Sequence, residues 1–124
     1  MGSGGLSGED IHTAMVEIFY RYRIHPSQAR AFEHAMGHEG PWALLYATHP
    51  RYIRSRLFRH RGDVEIYLTV DVWEEKADWD DFRSEHAGDL REIERRFGLL
   101  YLERHLLGYF EGDEEYRAPL DAFA

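Results

Sequence analysis

Apolar and polar positions alternate in four stretches of this chain, and between those stretches the apolar residues recur at helical spacing. Val16-Glu17-Ile18-Phe19-Tyr20-Arg21-Tyr22-Arg23-Ile24 is rich in β-branched and aromatic residues and reads as a strand. Pro26 suits the first turn of a helix that carries Phe32, Ala35 and Met36 on one face. Gly37 and Gly40 end it, and Pro41 opens a short second helix through Trp42, Leu45 and Tyr46 that stops before Pro50. A second strand, Tyr52 to Arg59, leads through the turn Arg61-Gly62-Asp63 into a third, Val64 to Trp73. From near Ala77 a long helix aligns Trp79, Phe82, His86, Leu90, Ile93 and Phe97, with Gly88 as the place for it to bend or split. Tyr101 to Phe110 is the fourth strand.

The order is βαββαβ with the first crossover in two pieces. It predicts an α+β fold: a ferredoxin-like, four-stranded antiparallel sheet with right-handed crossovers and helices on one side. The domain is expected over 15–111, after a Gly/Ser-rich flexible leader at 1–14 and before an acidic C-terminal tail at 112–124. No internal repeat or second domain is visible in the 124 residues.

Strand alternation sorts side chains onto two faces. Val16, Ile18, Tyr20, Tyr22 and Ile24 are expected to share the helix-covered face with Ile66, Leu68, Val70 and Val72, the more aliphatic set. The other face would carry Phe19, Phe58, Tyr67, Trp73 and Tyr109 among Glu17, Arg21, Arg54, Arg56, Glu65 and Asp71. Aromatic surface of that extent needs a cover, and the simplest is a second copy packed sheet to sheet. A homodimer through the sheet face is the expected assembly.

Composition narrows the classes. A content of 44% hydrophobic and 15% aromatic residues fits a packed core. A formal net charge of -8 argues against nucleic acid and anionic membranes as partners. The arginines at 51, 54, 56, 59 and 61 fall on alternating strand faces and form no single stripe. The absence of cysteine excludes disulfides, thiolate metal sites and cysteine nucleophiles. No apolar run approaches the ~20 residues needed to span a bilayer, and the N-terminus lacks a basic-then-apolar signal. The sequence reads as that of a cytoplasmic protein.

Two groups of residues resemble a known family. They are Tyr20-Arg21-Tyr22-Arg23-Ile24-His25-Pro26 with Gly40-Pro41-Trp42, and Tyr67-Leu68-Thr69-Val70-Asp71-Val72-Trp73-Glu74-Glu75 with Phe82 and Gly108-Tyr109-Phe110-Glu111. The pattern is similar to the antibiotic biosynthesis monooxygenase family of dimeric α/β barrels, over about Val16 to Glu111. That family holds cofactor-independent quinone-forming oxygenases, haem-degrading enzymes and many proteins of no established activity. The haem-degrading branch has an asparagine where Tyr20 stands, a tryptophan where Phe82 stands and an axial histidine near Glu92. The resemblance therefore implies an enzyme without haem, and no cofactor at all.

Candidate chemistry lies in the layer between sheet and helices. Tyr20, Tyr22 and His86 interrupt its apolar residues, and each needs a hydrogen-bond partner, since an orphaned polar group costs about 1–3 kcal/mol. Backbone carbonyls or solvent at the tyrosine tips would satisfy them, and the residues would then be core. The functional alternative has them converge on a pocket walled by Trp42, Tyr46, Trp79 and Phe82, built for a planar aromatic molecule. His86 is then the expected base, Tyr20 and Tyr22 orient the substrate's oxygens, and Trp42 stacks on its ring. The function so implied is cofactor-independent oxygenation of a phenolic or polycyclic aromatic. The alternatives are a non-catalytic binding or structural dimer on the same fold, and a cofactor-free isomerase or cyclase using the same base. A metal site is not expected: His34 and His38 stand four apart, but the helix ends between them and no third ligand is evident. No serine-nucleophile, phosphate-loop or dinucleotide motif is present.

Overall fold

The computed structural model describes residues 15–112. The leader expected at 1–14 and the tail from 113 onward lie outside the described residues. The four alternating stretches form strands β1 (Met15–Arg23), β2 (Tyr52–Arg59), β3 (Ile66–Trp73) and β4 (Glu103–Gly112). They pair antiparallel in the order β2-β3-β1-β4, which is the ferredoxin-like topology. The first crossover contains α1 (Ala29–Met36) and α2 (Pro41–Tyr46), each begun by a proline-bearing or polar turn. The second contains α3 (Lys76–Glu85) and α4 (Ala87–Phe97). A capping box starts α3: the Glu75 N–H donates to Asp78 Oδ2 at 3.1 Å, while the Glu75 carboxylate accepts from the Asp78 N–H.

The long second helix does divide, but at His86 rather than at Gly88. His86 has φ -112° and ψ 25°, outside the helical well, and so ends α3 and precedes α4. Helical hydrogen bonds still meet there, from the His86 N–H to Phe82 O at 2.9 Å and from the Leu90 N–H to His86 O at 2.9 Å. Hydrogen bonding thus runs through the break, and Gly88 lies inside the first turn of α4.

A larger correction concerns the phase of β3. Register sets Val16 opposite Trp73, Ile18 opposite Asp71, Tyr20 opposite Thr69 and Tyr22 opposite Tyr67. Directly opposed residues share a face, so Tyr67, Thr69, Asp71 and Trp73 point to the helices. Ile66, Leu68, Val70 and Val72 take the outer face with Phe19. Tyr109, opposite Ile18, is also on the inner face. The reason is aromatic packing: the Trp73 ring lies 5.8, 5.5 and 5.1 Å from Tyr46, Trp79 and Phe82. Those rings form one core cluster with Val16 and Ile18. Tyr67 joins a second, with Phe32, Tyr22, Ile24 and Met36. Phe19, Phe58, Glu17, Arg21, Arg54 and Arg56 do occupy the outer face as expected.

Candidate functional site

The inverted phase of β3 brings polar groups under α1 and α2. Tyr20 and Tyr22 come from β1, Ser55 from β2, Thr69 and Asp71 from β3, and Arg104 from β4. Met36, Trp42, Ala43 and Tyr46 close over them from the helices. Two bulges make this convergence possible. One in β2 between Tyr52 and Arg54 lets Tyr52 and Ser55 face inward together. The other, in β4 next to Gly108 at φ 148°, shifts register between Phe19 and Tyr20 and sets Arg104 opposite Tyr22.

Asp71 forms the floor and is only 7% exposed. Ser55 Oγ donates to its Oδ1 at 2.6 Å, and the Tyr52 hydroxyl donates to Ser55 Oγ at 2.7 Å. Burial pushes the Asp71 carboxyl up to about 6, although the Ser55 hydrogen bond and the Arg104 charge pull it back. Burial also raises Tyr22 and Tyr46, so both hydroxyls stay protonated and able to donate. The space among these groups is about 20 Å³, enough for one hydroxyl or one water.

Next to the floor lies a cleft of about 250 Å³. Tyr20, Trp42, Tyr46 and Arg104 belong to both levels, and Trp79 and Leu90 add apolar wall at the mouth. The Arg104 guanidinium lies 4.3 Å from the centroid of the Tyr20 ring, a cation–π contact. Its Nη1 is 3.4 Å from Glu94 Oε1, and the Tyr101 hydroxyl donates to the other oxygen of that carboxylate.

Of the residues named from sequence, the structure brings Tyr20, Tyr22, Trp42 and Tyr46 around the floor and adds Trp79 at the mouth. Phe82 is fully buried among the aromatic rings and lines neither level. His86 lines neither level either. Its ring stacks on Phe82 at 4.4 Å, its Nδ1 lies 3.1 Å from Asp89 Oδ2, and its side chain is 30% exposed. Asp71, Ser55, Thr69 and Arg104 were not singled out from sequence. A signal for Asp71 and Thr69 did exist on β3: placing Trp73 inward with Trp79 and Phe82 carries both inward by period-2 alternation.

His34 lies in α1 and His38 beyond its end at Met36. Among the described residues no three His, Cys, Asp or Glu side chains are grouped to hold a metal ion. None of the described helices is long and apolar enough to cross a membrane.

The sheet order and the split crossovers define a class by fold: ferredoxin-like α+β proteins, the fold of solved structures provisionally assigned as antibiotic biosynthesis monooxygenases. Three solved structures illustrate the likeness. A protein of Caulobacter crescentus CB15, provisionally assigned as an antibiotic biosynthesis monooxygenase, matches with TM-score 0.65 and 14% identity, over 87% of this chain and 99% of that one. One of Bordetella bronchiseptica with the same provisional assignment gives TM-score 0.61 and 17% identity, over 83% and 99%. A conserved protein of Methanosarcina mazei Go1 gives 0.59 and 11%, over 82% and 96%. No protein-family model matches the chain, and no curated protein matches it. Identity this low carries the fold and leaves activity to be argued from the site.

Proposed function

We propose that this chain is a cofactor-independent, monooxygenase-like enzyme acting on a phenolic or polycyclic aromatic small molecule. The observation that carries the reading is Asp71, a carboxylate held out of water at the end of a pocket whose other polar groups are mainly hydroxyls. With its carboxyl raised to about 6, Asp71 is ionised at neutral pH and still basic enough to take a proton from a phenol or an anthrone-type carbon acid. Tyr22 and Tyr46, kept protonated by burial, donate to the oxyanion that results. Tyr20 and Trp42 wall the ring. In this reading the base is Asp71 rather than His86, whose ring is engaged by Phe82 and Asp89.

Oxygen chemistry then needs no electrons from the protein. The substrate anion reduces dioxygen, a carbon–oxygen bond forms, and loss of water from the peroxide leaves a carbonyl. The sum for an anthrone is a methylene and dioxygen going to a ketone and water. The test is oxygen uptake with anthrone as substrate. The expected result is one dioxygen consumed per anthraquinone formed, faster than autoxidation and insensitive to chelators. Loss of anthrone by tautomerisation without oxygen uptake would replace this reading with an isomerase. No turnover across anthrones and naphthols would replace it with a binding protein.

The same reading includes a homodimer through the outer face of the sheet. Phe58 and Phe110 are 39% and 52% exposed there, and Phe19 packs edge-on against Phe110 at 5.0 Å. Glu17, Arg21, Arg54 and Arg56 surround them, a mixture of signs suited to pairing across a two-fold axis.

A further inference from the structure

We propose that the substrate is a hydroxyaryl carboxylate: an aromatic whose hydroxyl reaches Asp71 and whose carboxylate, at the far end of the ring system, is held by arginines at the mouth. The inference deepens the proposed function and rests on it for the role of the pocket. Its basis is the unlike chemistry of the two levels of the cleft. The chain carries a net charge of -8, yet the mouth is lined by Arg83, Arg91 and Arg104 against Glu94 alone. Arg104 is engaged by Glu94, and Arg83 by Asp80 at 3.0 Å from outside the cleft. Arg91 has no ion pair or hydrogen bond among the described residues. With Arg104 paired to Glu94 and Arg83 to Asp80, it is Arg91 that leaves the mouth net positive toward an entering anion.

The floor sets the opposite requirement. Its 20 Å³ admits a hydroxyl and no ring atom, and an ionised Asp71 there accepts a hydrogen bond and repels a second carboxylate. A carboxylate group therefore orients outward and a hydroxyl inward. The cleft of about 250 Å³, just under the ~300 Å³ at the small end of ligand sites, suits a small ring system such as a naphthalene. Trp42, half-buried at this level, provides apolar surface for those rings. An arginine presents paired N–H donors matched to a carboxylate, so the mouth reads shape as well as charge.

Calorimetric titration of the full chain at pH 8 with 6-hydroxy-2-naphthoate and with its methyl ester tests this. The two probes share ring, hydroxyl and size, and differ in the charge at the far end. The acid is expected to bind about tenfold or more tightly than the ester. That preference should shrink in 0.5 M salt (a screening length of about 4 Å) and in Arg91→Gln. Equal affinity for acid and ester would overturn the arginine-held carboxylate while leaving the pocket and Asp71 in place. Failure of both probes to bind would overturn the pocket, and with it the function proposed above. The salt series keeps the result readable should Arg91→Gln perturb folding.

Discussion

Asp71 ionises at about 6 rather than at the ordinary 3.8 because it is nearly out of water, and only Ser55 and Arg104 draw it back. Its folded-state value lies above its unfolded one, so the folded chain binds the extra proton and its stability falls as pH rises between 3.8 and about 6. Asparagine keeps the shape and has no charge to desolvate. Asp71→Asn is therefore expected to raise stability by up to roughly 3 kcal/mol at pH 8 and by little at pH 4, at about 1.36 kcal/mol per pH unit. Thermal melts at the two pH values check this, and an equal effect at both would mean that the carboxylate is not desolvated. Ser55 sets the same ionisation from the other side. Ser55→Ala removes the 2.6 Å hydrogen bond to the carboxylate, so the acid limb of a pH–rate profile should move to higher pH. An unmoved limb would show that Ser55 does not tune the base.

At the level of elements, the two short helices over the pocket depend on a close approach. A Cβ built on Gly40 would lie 2.0 Å from the Ala35 carbonyl oxygen, a backbone atom at the end of α1 that cannot swing aside. Gly40→Ala should cost about 1–3 kcal/mol and lower the Tm, because α2 would have to lift away from α1. An unchanged Tm would contradict this packing. The sequence showed this elbow well: Gly37, Gly40 and Pro41 mark it by residue type alone. It showed the strands too, but not which way β3 faces. Ile66, Leu68, Val70 and Val72 look like a core face when hydrophobicity is the only guide. The choice turns on Trp73, whose ring must meet Trp79 and Phe82, and that contact belongs to tertiary structure. The bulges were equally hidden, since an extra residue in β2 or β4 leaves no period of its own, and they are what place Ser55 and Arg104. The tyrosines, Trp42 and Tyr46 were legible because β1 and α2 are regular; the acid and the arginine were not.

For the whole molecule, the ferredoxin-like order followed from the count and sequence of elements, which survives errors of phase and of helix break. The outer sheet face is expected to hold two copies together. Phe110→Glu puts a charge where that contact would be apolar, and sedimentation should then report monomer where the parent chain reports dimer. A parent chain that sediments as monomer would remove the assembly from the account. Haem is not expected to bind, with Tyr20, Phe82 and Glu92 at the positions that the haem-degrading branch reserves for other residues. Glu92 is also tied to Arg95 at 2.6 Å. Titration with haemin should give no shifted Soret band, and a tight stoichiometric shift would prove otherwise. The measurement closest to the central claim is the rate of anthrone oxidation by Asp71→Asn beside His86→Ala, with both variants shown to be folded. The account predicts a loss of about 10²-fold or more for Asp71→Asn, the usual scale for removing a general base, and nearly the parent rate for His86→Ala. The reverse pattern would return the base to His86 and leave Asp71 as a structural acid.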